Sequence, residues 1–154
     1  MTTEPKSFGE MSGIEQLQAA FQSGGPRRGI GATLGFTAVS VEEGKVVFGG
    51  TPTEDVYNPI GTVHGGYAAT MLDSALACAV HSKLKPGQGY TTLELKVSYH
   101  KAMTAKTGPI TAEGVVITMG RRAAFAEGKV TDAAGNLYAS ATSSLLIFDL
   151  PTKA

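Results

Sequence analysis

From Gly65 to Lys83 the chain reads GGYAATMLDSALACAVHSK, with small or apolar residues at nearly every helical position. A helix apolar on all faces is enclosed by protein, so this stretch predicts a long central helix, about 28 Å at 1.5 Å per residue. His64-Gly65-Gly66 lets the backbone turn into it, Lys83 and Lys85 face the negative end of its dipole, and Pro86-Gly87 ends it. Beyond it the period drops to two. Leu93, Leu95, Val97 and Tyr99 fall on one face, and Thr92, Glu94, Lys96, Ser98 and His100 on the other, which predicts a half-covered strand. Strands over Ile110–Met119, Arg122–Thr131 and Leu137–Phe148 follow, joined by turns at Met119-Gly120-Arg121 and at residues 132–136. Ahead of the helix, Leu34–Val41 and Lys45–Thr51 form a hairpin through Glu42-Glu43-Gly44, followed by a loop from Pro52 to Pro59. Earlier still, Ile14, Leu17, Gln18 and Phe21 place a narrow apolar stripe on a short helix that stops at Ser23-Gly24-Gly25-Pro26.

Helix, two strands, long helix, four strands is an α+β order in which an antiparallel sheet curls around one apolar helix and buries it. The 154 residues divide into an N-terminal arm and short helix over 1–29, one domain over 30–149 and a tail over 150–154. Lys plus Arg and Asp plus Glu are 13 each, so no basic field exists for nucleic acid and no acidic tail. No apolar run reaches the length of a membrane span and the first residues lack the pattern of a signal peptide, which leaves the cytoplasm as the expected location. Cys78, the only cysteine, has no disulfide partner in the chain and reads as a small buried side chain. The three histidines, His64, His81 and His100, make no zinc-binding pattern, so no metal site is expected. Phosphate-loop glycine motifs and the GxSxG elbow are also missing.

Asp73 is the one carboxylate within the helical run. Desolvation by Met71, Leu72, Leu76 and Ala77 would raise its proton affinity and make it an acid, base or nucleophile; equally, it lies on a wet stripe with Thr70 and Ser74 or accepts a hydrogen bond from a neighbouring strand. The run Asn58-Pro59-Ile60-Gly61-Thr62-Val63-His64-Gly65-Gly66 leads into the same helix. Its unpaired N–H groups, with no Cβ at 65 or 66, could hold the oxyanion of an acyl-transfer intermediate, or the glycines could serve only to turn and pack the chain. Eight residues separate Gly65 from Asp73. Along a helix that is about 12 Å, too far for both to serve one carbonyl. If both act, they come from two copies of the chain, each dimer carrying two equivalent sites.

NPIGTVHGG followed by LDSALA resembles the hotdog-fold acyl-CoA thioesterases, in the phenylacetate-pathway type of the 4-hydroxybenzoyl-CoA thioesterase superfamily. The resemblance runs from Gly31 to Phe148. It implies a hotdog fold, a curved antiparallel sheet wrapped around one long helix, and dimers that join their sheets and pair again into tetramers. Carried over residue by residue, it makes Asp73 the catalytic carboxylate, Gly65 the oxyanion amide, and Asn58 and His64 the residues ahead of the helix. Thr92 matches a hydroxyl near the attacking water, with Thr91 the alternative one position away. Relatives commonly carry a proline after the third strand, where this chain has Tyr99-His100-Lys101-Ala102, a departure that blurs the subfamily.

The implied substrate is an acyl-CoA, coenzyme A being part of the substrate, with no separate cofactor. A thioester is already electrophilic and thiolate leaves readily, so one carboxylate and one oxyanion site suffice, Asp73 acting as general base on water or as nucleophile. Asn58 would orient water or carbonyl, and His64 would hold the loop. Gly66 would join the substrate's approach, Arg121 and Arg122 would meet its phosphates, and Met71, with Leu72, Tyr67 and Phe21, would line an acyl slot. Two other readings are a hotdog protein that binds an acyl thioester without cleaving it, and a hotdog hydratase or dehydratase.

Overall fold

The computed structural model describes residues 6–22, 25 and 28–151. The beginning of the arm, the helix stop at Ser23, Gly24 and Pro26, and the end of the tail fall outside the described residues. The elements are α1 (Gly13–Phe21), α2 (Ile30–Leu34), β1 (Phe36–Glu42), β2 (Lys45–Gly50), α3 (Gly65–His81), β3 (Gln88–Tyr99), β4 (Ile110–Met119), β5 (Ala123–Asp132) and β6 (Leu137–Asp149). All six strands join one antiparallel sheet in the order β1-β2-β4-β5-β6-β3. The sheet curls around α3, the hotdog arrangement, and leaves β1 and β3 as its edges.

Small residues bring helix and sheet together. Gly114 on β4 pairs with Gly128 on β5 beneath α3, and a Cβ on Gly114 would sit 2.4 Å from the Ala75 carbonyl carbon and 2.6 Å from the Leu76 nitrogen. On the helix, Ala68, Met71, Leu72, Ala75, Leu76, Ala79 and Val80 have no exposure and form the core with Val46, Ile110, Val130 and Leu145. The helix stops two residues before the predicted Lys83. Ser82 supplies the reason: its buried hydroxyl donates to the Ala79 carbonyl at 2.6 Å and accepts from Gly44 N–H at 2.7 Å, tying the helix end to the β1–β2 turn.

Ser12 and Glu15 form a capping box that starts α1. The helix lies on the C-terminal end of α3, with Gly13 N–H donating to the Leu84 carbonyl and the Gln16 amide oxygen 2.8 Å from Nε2 of His81. Burial there holds the His81 imidazole below its ordinary pKa, so folding keeps it neutral. The unfolded chain regains an ordinary histidine near 6.5 and binds more protons, so this contribution is complete above about pH 6.5 and is lost as pH falls toward the depressed folded value. The urea midpoint should therefore drop between pH 7.5 and pH 5.5, and His81→Phe should flatten that drop.

Candidate active site

The helical wheel of α3 sorts its residues into two groups. The core side chains fill the face toward β2, β4 and β5, whereas Ala69, Thr70, Asp73, Ser74 and Ala77 form a half-buried stripe. Asp73 therefore turns away from Met71, Leu72 and Leu76, and the helix is not enclosed on every side as its composition suggests. Both structural readings of Asp73 hold: it lies on the wet stripe and is bonded from a strand. Thr92 Oγ1 donates to Asp73 Oδ1 at 3.1 Å, while Oδ2 has no protein donor among the described residues.

A β-bulge creates that contact. Thr92 pairs with Leu145 and Glu94 with Ser144, so Leu93 is an extra residue in the β3–β6 ladder and stands 63% exposed. Strict alternation placed Thr92 on the face opposite Leu95, Val97 and Tyr99. The bulge turns it onto the same concave face, toward α3, and Thr91 is left exposed on the outer side. Cys78 and Tyr90 lie within reach of the carboxylate's charge. Burial, then the nearby Asp73 charge, push the Cys78 thiol up to about 12, so it stays protonated, and burial raises the Tyr90 phenol as well.

At the other end of α3 the two glycines have ordinary negative-φ backbones. A side chain there would crowd neighbouring rings, while the turn itself makes no demand for glycine. A Cβ on Gly65 would stand 2.9 Å from Tyr99 Cζ, and one on Gly66 would stand 2.9 Å from His64 Nδ1. His64 is the N-cap: its Nδ1 accepts the Gly66 N–H at 2.8 Å. That bond occupies the Gly66 amide, which is therefore not free for the substrate contact expected of it. The Gly65 N–H has no acceptor among the described residues. Asn58 closes an Asx turn, its Oδ1 accepting from Ile60 N–H at 3.1 Å and Thr62 N–H at 3.2 Å and its Nδ2 donating to Thr62 Oγ1 at 2.9 Å. It fixes the loop that delivers His64 and Gly65.

The other expected site residues separate. Met71 and Leu72 are fully enclosed core and Tyr67 nearly so, which removes them from any accessible acyl slot. Phe21 instead lines a cavity of about 350 Å³ with Gly31, Gly35, Phe36, Phe48 and Ser74, between α1, α2, β1 and the half-buried stripe of α3. Its aromatic wall is built edge to face, Phe21 to Phe48 at 5.7 Å and Phe36 to Phe48 at 5.8 Å between centroids. The sequence reading missed α2 and so missed this cavity. Arg121 and Arg122 are exposed at the β4–β5 turn and join no ion pair among the described residues. The ladder carries Ala123 to Leu146 and Leu146 to Thr91, so the arginines stand about 10 Å across the sheet from the strand segment that holds Asp73. A larger depression, about 480 Å³, lies on the outer sheet face among Lys96, Glu113, Glu127 and Lys129, the side away from α3.

Among the described residues no three His, Cys, Asp or Glu side chains cluster closely enough to hold a metal ion, and no helix is long and apolar enough to cross a membrane. The family described as "Thioesterase superfamily" matches residues 60–139, the span that includes His64, Gly65, Asp73 and Thr92. The chain belongs to the thioesterase superfamily. It is 31% identical over 104 residues to a 1,4-dihydroxy-2-naphthoyl-CoA hydrolase of Listeria monocytogenes, a match covering 68% of this chain and 83% of that one. A variant of the phenylacetic acid degradation protein PaaI from Thermus thermophilus superposes with a TM-score of 0.68 at 26% identity, over 75% of this chain and 96% of the other. The PaaI protein of E. coli shares the fold at a TM-score of 0.75 and 20% identity, over 88% of this chain and 94% of that one. The chain is a thioester hydrolase.

Proposed function

We propose that the enzyme hydrolyses an acyl-CoA to the free acid and coenzyme A, at two equivalent sites each shared between two copies of the chain. The observation that carries this reading is the pair of contacts made by β3: Thr92 holds Asp73 near one end of the strand, and Tyr99 touches Gly65 at the other. β3 is an edge strand, free to pair with a second copy. Antiparallel pairing about a two-fold axis between Leu95 and Lys96 sets Thr92 opposite the partner's Tyr99. It thereby brings Asp73 to the partner's Gly65, joining the two groups that about 12 Å of helix keeps apart in one chain. The dimer is the active unit in this reading, and dimers pair again into tetramers; light scattering across a dilution series reads the assembly.

In this arrangement the thioester carbonyl oxygen accepts the free Gly65 N–H of the helix N-terminus, where the developing negative charge meets the positive end of the dipole. Asp73, oriented by Thr92 through Oδ1, uses Oδ2 on water as general base or attacks the carbonyl itself as nucleophile. Either course forms a tetrahedral oxyanion whose collapse breaks the C–S bond and releases the thiolate, which is then protonated. The general-base course yields the free acid directly, whereas the nucleophile course leaves the acyl group on Asp73 as a mixed anhydride that water hydrolyses to the free acid and the restored carboxylate. His64 and Asn58 hold the loop that carries the amide. An aromatic or short to medium-length acyl group enters the Phe21, Phe36 and Phe48 cavity, whose border Ser74 adjoins Asp73. The Listeria relative's naphthoyl substrate agrees with an aromatic acyl group.

The test is thiol release from a panel of aromatic, short, medium and long acyl-CoAs. Fast release confined to the classes that fit the cavity is expected, and no release from any member contradicts the reading. Arg121 and Arg122 are assigned to the coenzyme A phosphates. Alanine at both should raise KM for acyl-CoA about tenfold while leaving an acyl-N-acetylcysteamine thioester, which has no phosphate, unaffected. An unchanged KM for acyl-CoA removes the assignment.

A further inference from the structure

The two glycines that begin α3 pose a physical problem for any oxyanion site. Glycine is the least constrained residue, yet a transition-state donor must be fixed before the reaction, because an amide that reorients during the step forfeits most of its electrostatic value. Something outside the backbone has to hold the turn. Gly66 is held twice, by His64 Nδ1 on its N–H at 2.8 Å and by Thr70 Oγ1 on its carbonyl at 2.7 Å. Gly65, the residue whose N–H is free, is held by Tyr99. The Tyr99 hydroxyl donates to the Gly65 carbonyl at 2.9 Å, and the ring fills the space a Cβ would take, with Cζ, Oη and Cε1 at 2.9, 3.0 and 3.1 Å from that position.

We propose that Tyr99 is a positioning residue for catalysis, clamping Gly65 so that its N–H is preset for the thioester oxyanion; this rests on the acyl-CoA reading above. Two observations set the contact apart from ordinary packing. In the single chain Tyr99 is 57% exposed, so its ring adds little to that chain's core, yet the one protein hydrogen bond of its hydroxyl among the described residues goes to Gly65. It also ends the strand that carries Thr92, so one rigid element sets both catalytic groups, the carboxylate through Thr92 and the amide through Tyr99. With β3 at the dimer seam, subunit association and oxyanion geometry share a single strand.

Tyr99→Phe keeps the ring and deletes the hydroxyl. Its kcat on the best acyl-CoA should fall about tenfold, with KM within about twofold of wild type and Tm and dimerisation unchanged, the signature of a weakened contact between the Gly65 N–H and the transition-state oxyanion. The ring contact has its own test. Gly65→Ala should cost more in the wild type than in a Tyr99→Ala background, where the new methyl group has room. A Tyr99→Phe enzyme with wild-type kcat overturns the assignment, as does one whose lost rate is matched by a lower Tm or a raised KM. If the wild type releases thiol from no acyl-CoA, the underlying reading fails and the proposal falls with it; wild-type turnover with an unimpaired Tyr99→Phe overturns the Tyr99 role alone.

Discussion

Asp73→Asn is expected to fold and dimerise like the wild type and to release thiol about a thousandfold more slowly. The substitution changes one terminal atom of a half-buried side chain, and the amide oxygen still accepts the Thr92 hydroxyl, so the local hydrogen bond survives. What disappears is the negative charge proposed to take the water proton or attack the carbonyl. Because Asp73 touches neither the acyl cavity nor the arginine turn, KM should change far less than kcat. Parallel melting curves and steady-state thiol release check both halves of the expectation, and near-normal turnover would remove Asp73 from the chemistry.

A large loss of stability is expected under the helix. Gly114→Ala would place a methyl group 2.4 to 2.6 Å from the Ala75 and Leu76 backbone, atoms that cannot rotate aside, so β4 and α3 must separate. The cost is about 3 kcal/mol or more, seen as a Tm lowered by roughly 6–12 °C for a domain of this size. Gly9→Ala is the control, since nothing lies within 4 Å of its Cβ position, and it should leave the melting curve in place.

How far the fold could be read from sequence depended on how clearly each element was bounded. β4 runs Ile110–Met119 as its residues predicted, and β5 and β6 shift by only a residue at their ends, because a glycine turn and an Asx turn separate them, even though bulges interrupt the alternation within β4 and between β5 and β6. The central helix was legible from composition alone, and its half-buried stripe in part: Thr70, Asp73 and Ser74 could be read as a wet stripe, whereas Ala69 and Ala77 are small and apolar enough to read as enclosed. The helix α2 escaped because five residues between Gly29 and Gly35, both at positive φ, are too few to show a period.

The candidate site was legible in its parts and not in its wiring. Asp73, Gly65 and His64 entered it from motif and helix chemistry, and the helical spacing pointed to two chains if Asp73 and Gly65 both act. The bulge at Leu93 leaves no mark in an alternating run, so Thr92 was placed on the wrong face of the strand even as it was picked as the hydroxyl near the attacking water. Tyr99 looked like one more apolar-face residue. The available signal was Gly65 itself: a glycine at a first helical position with an ordinary backbone implies a neighbour occupying its Cβ space.

The claim that a carboxylate and an amide from different copies make one site has a direct test. Asp73→Asn lacks the charge. Gly65→Pro lacks the N–H at a helical position where proline is otherwise accommodated once the exposed Tyr99 ring tilts aside. Each variant alone should be nearly inactive. Unfolded together and refolded at equal concentration, about half of the dimers are mixed. Each mixed dimer unites the intact Asp73 of one chain with the intact Gly65 of the other at one of its two sites, so thiol release should return to about a quarter of the wild-type rate. Recovery to that level supports a shared site, and a mixture no more active than its parents, with mixed dimers verified by mass, would contradict it.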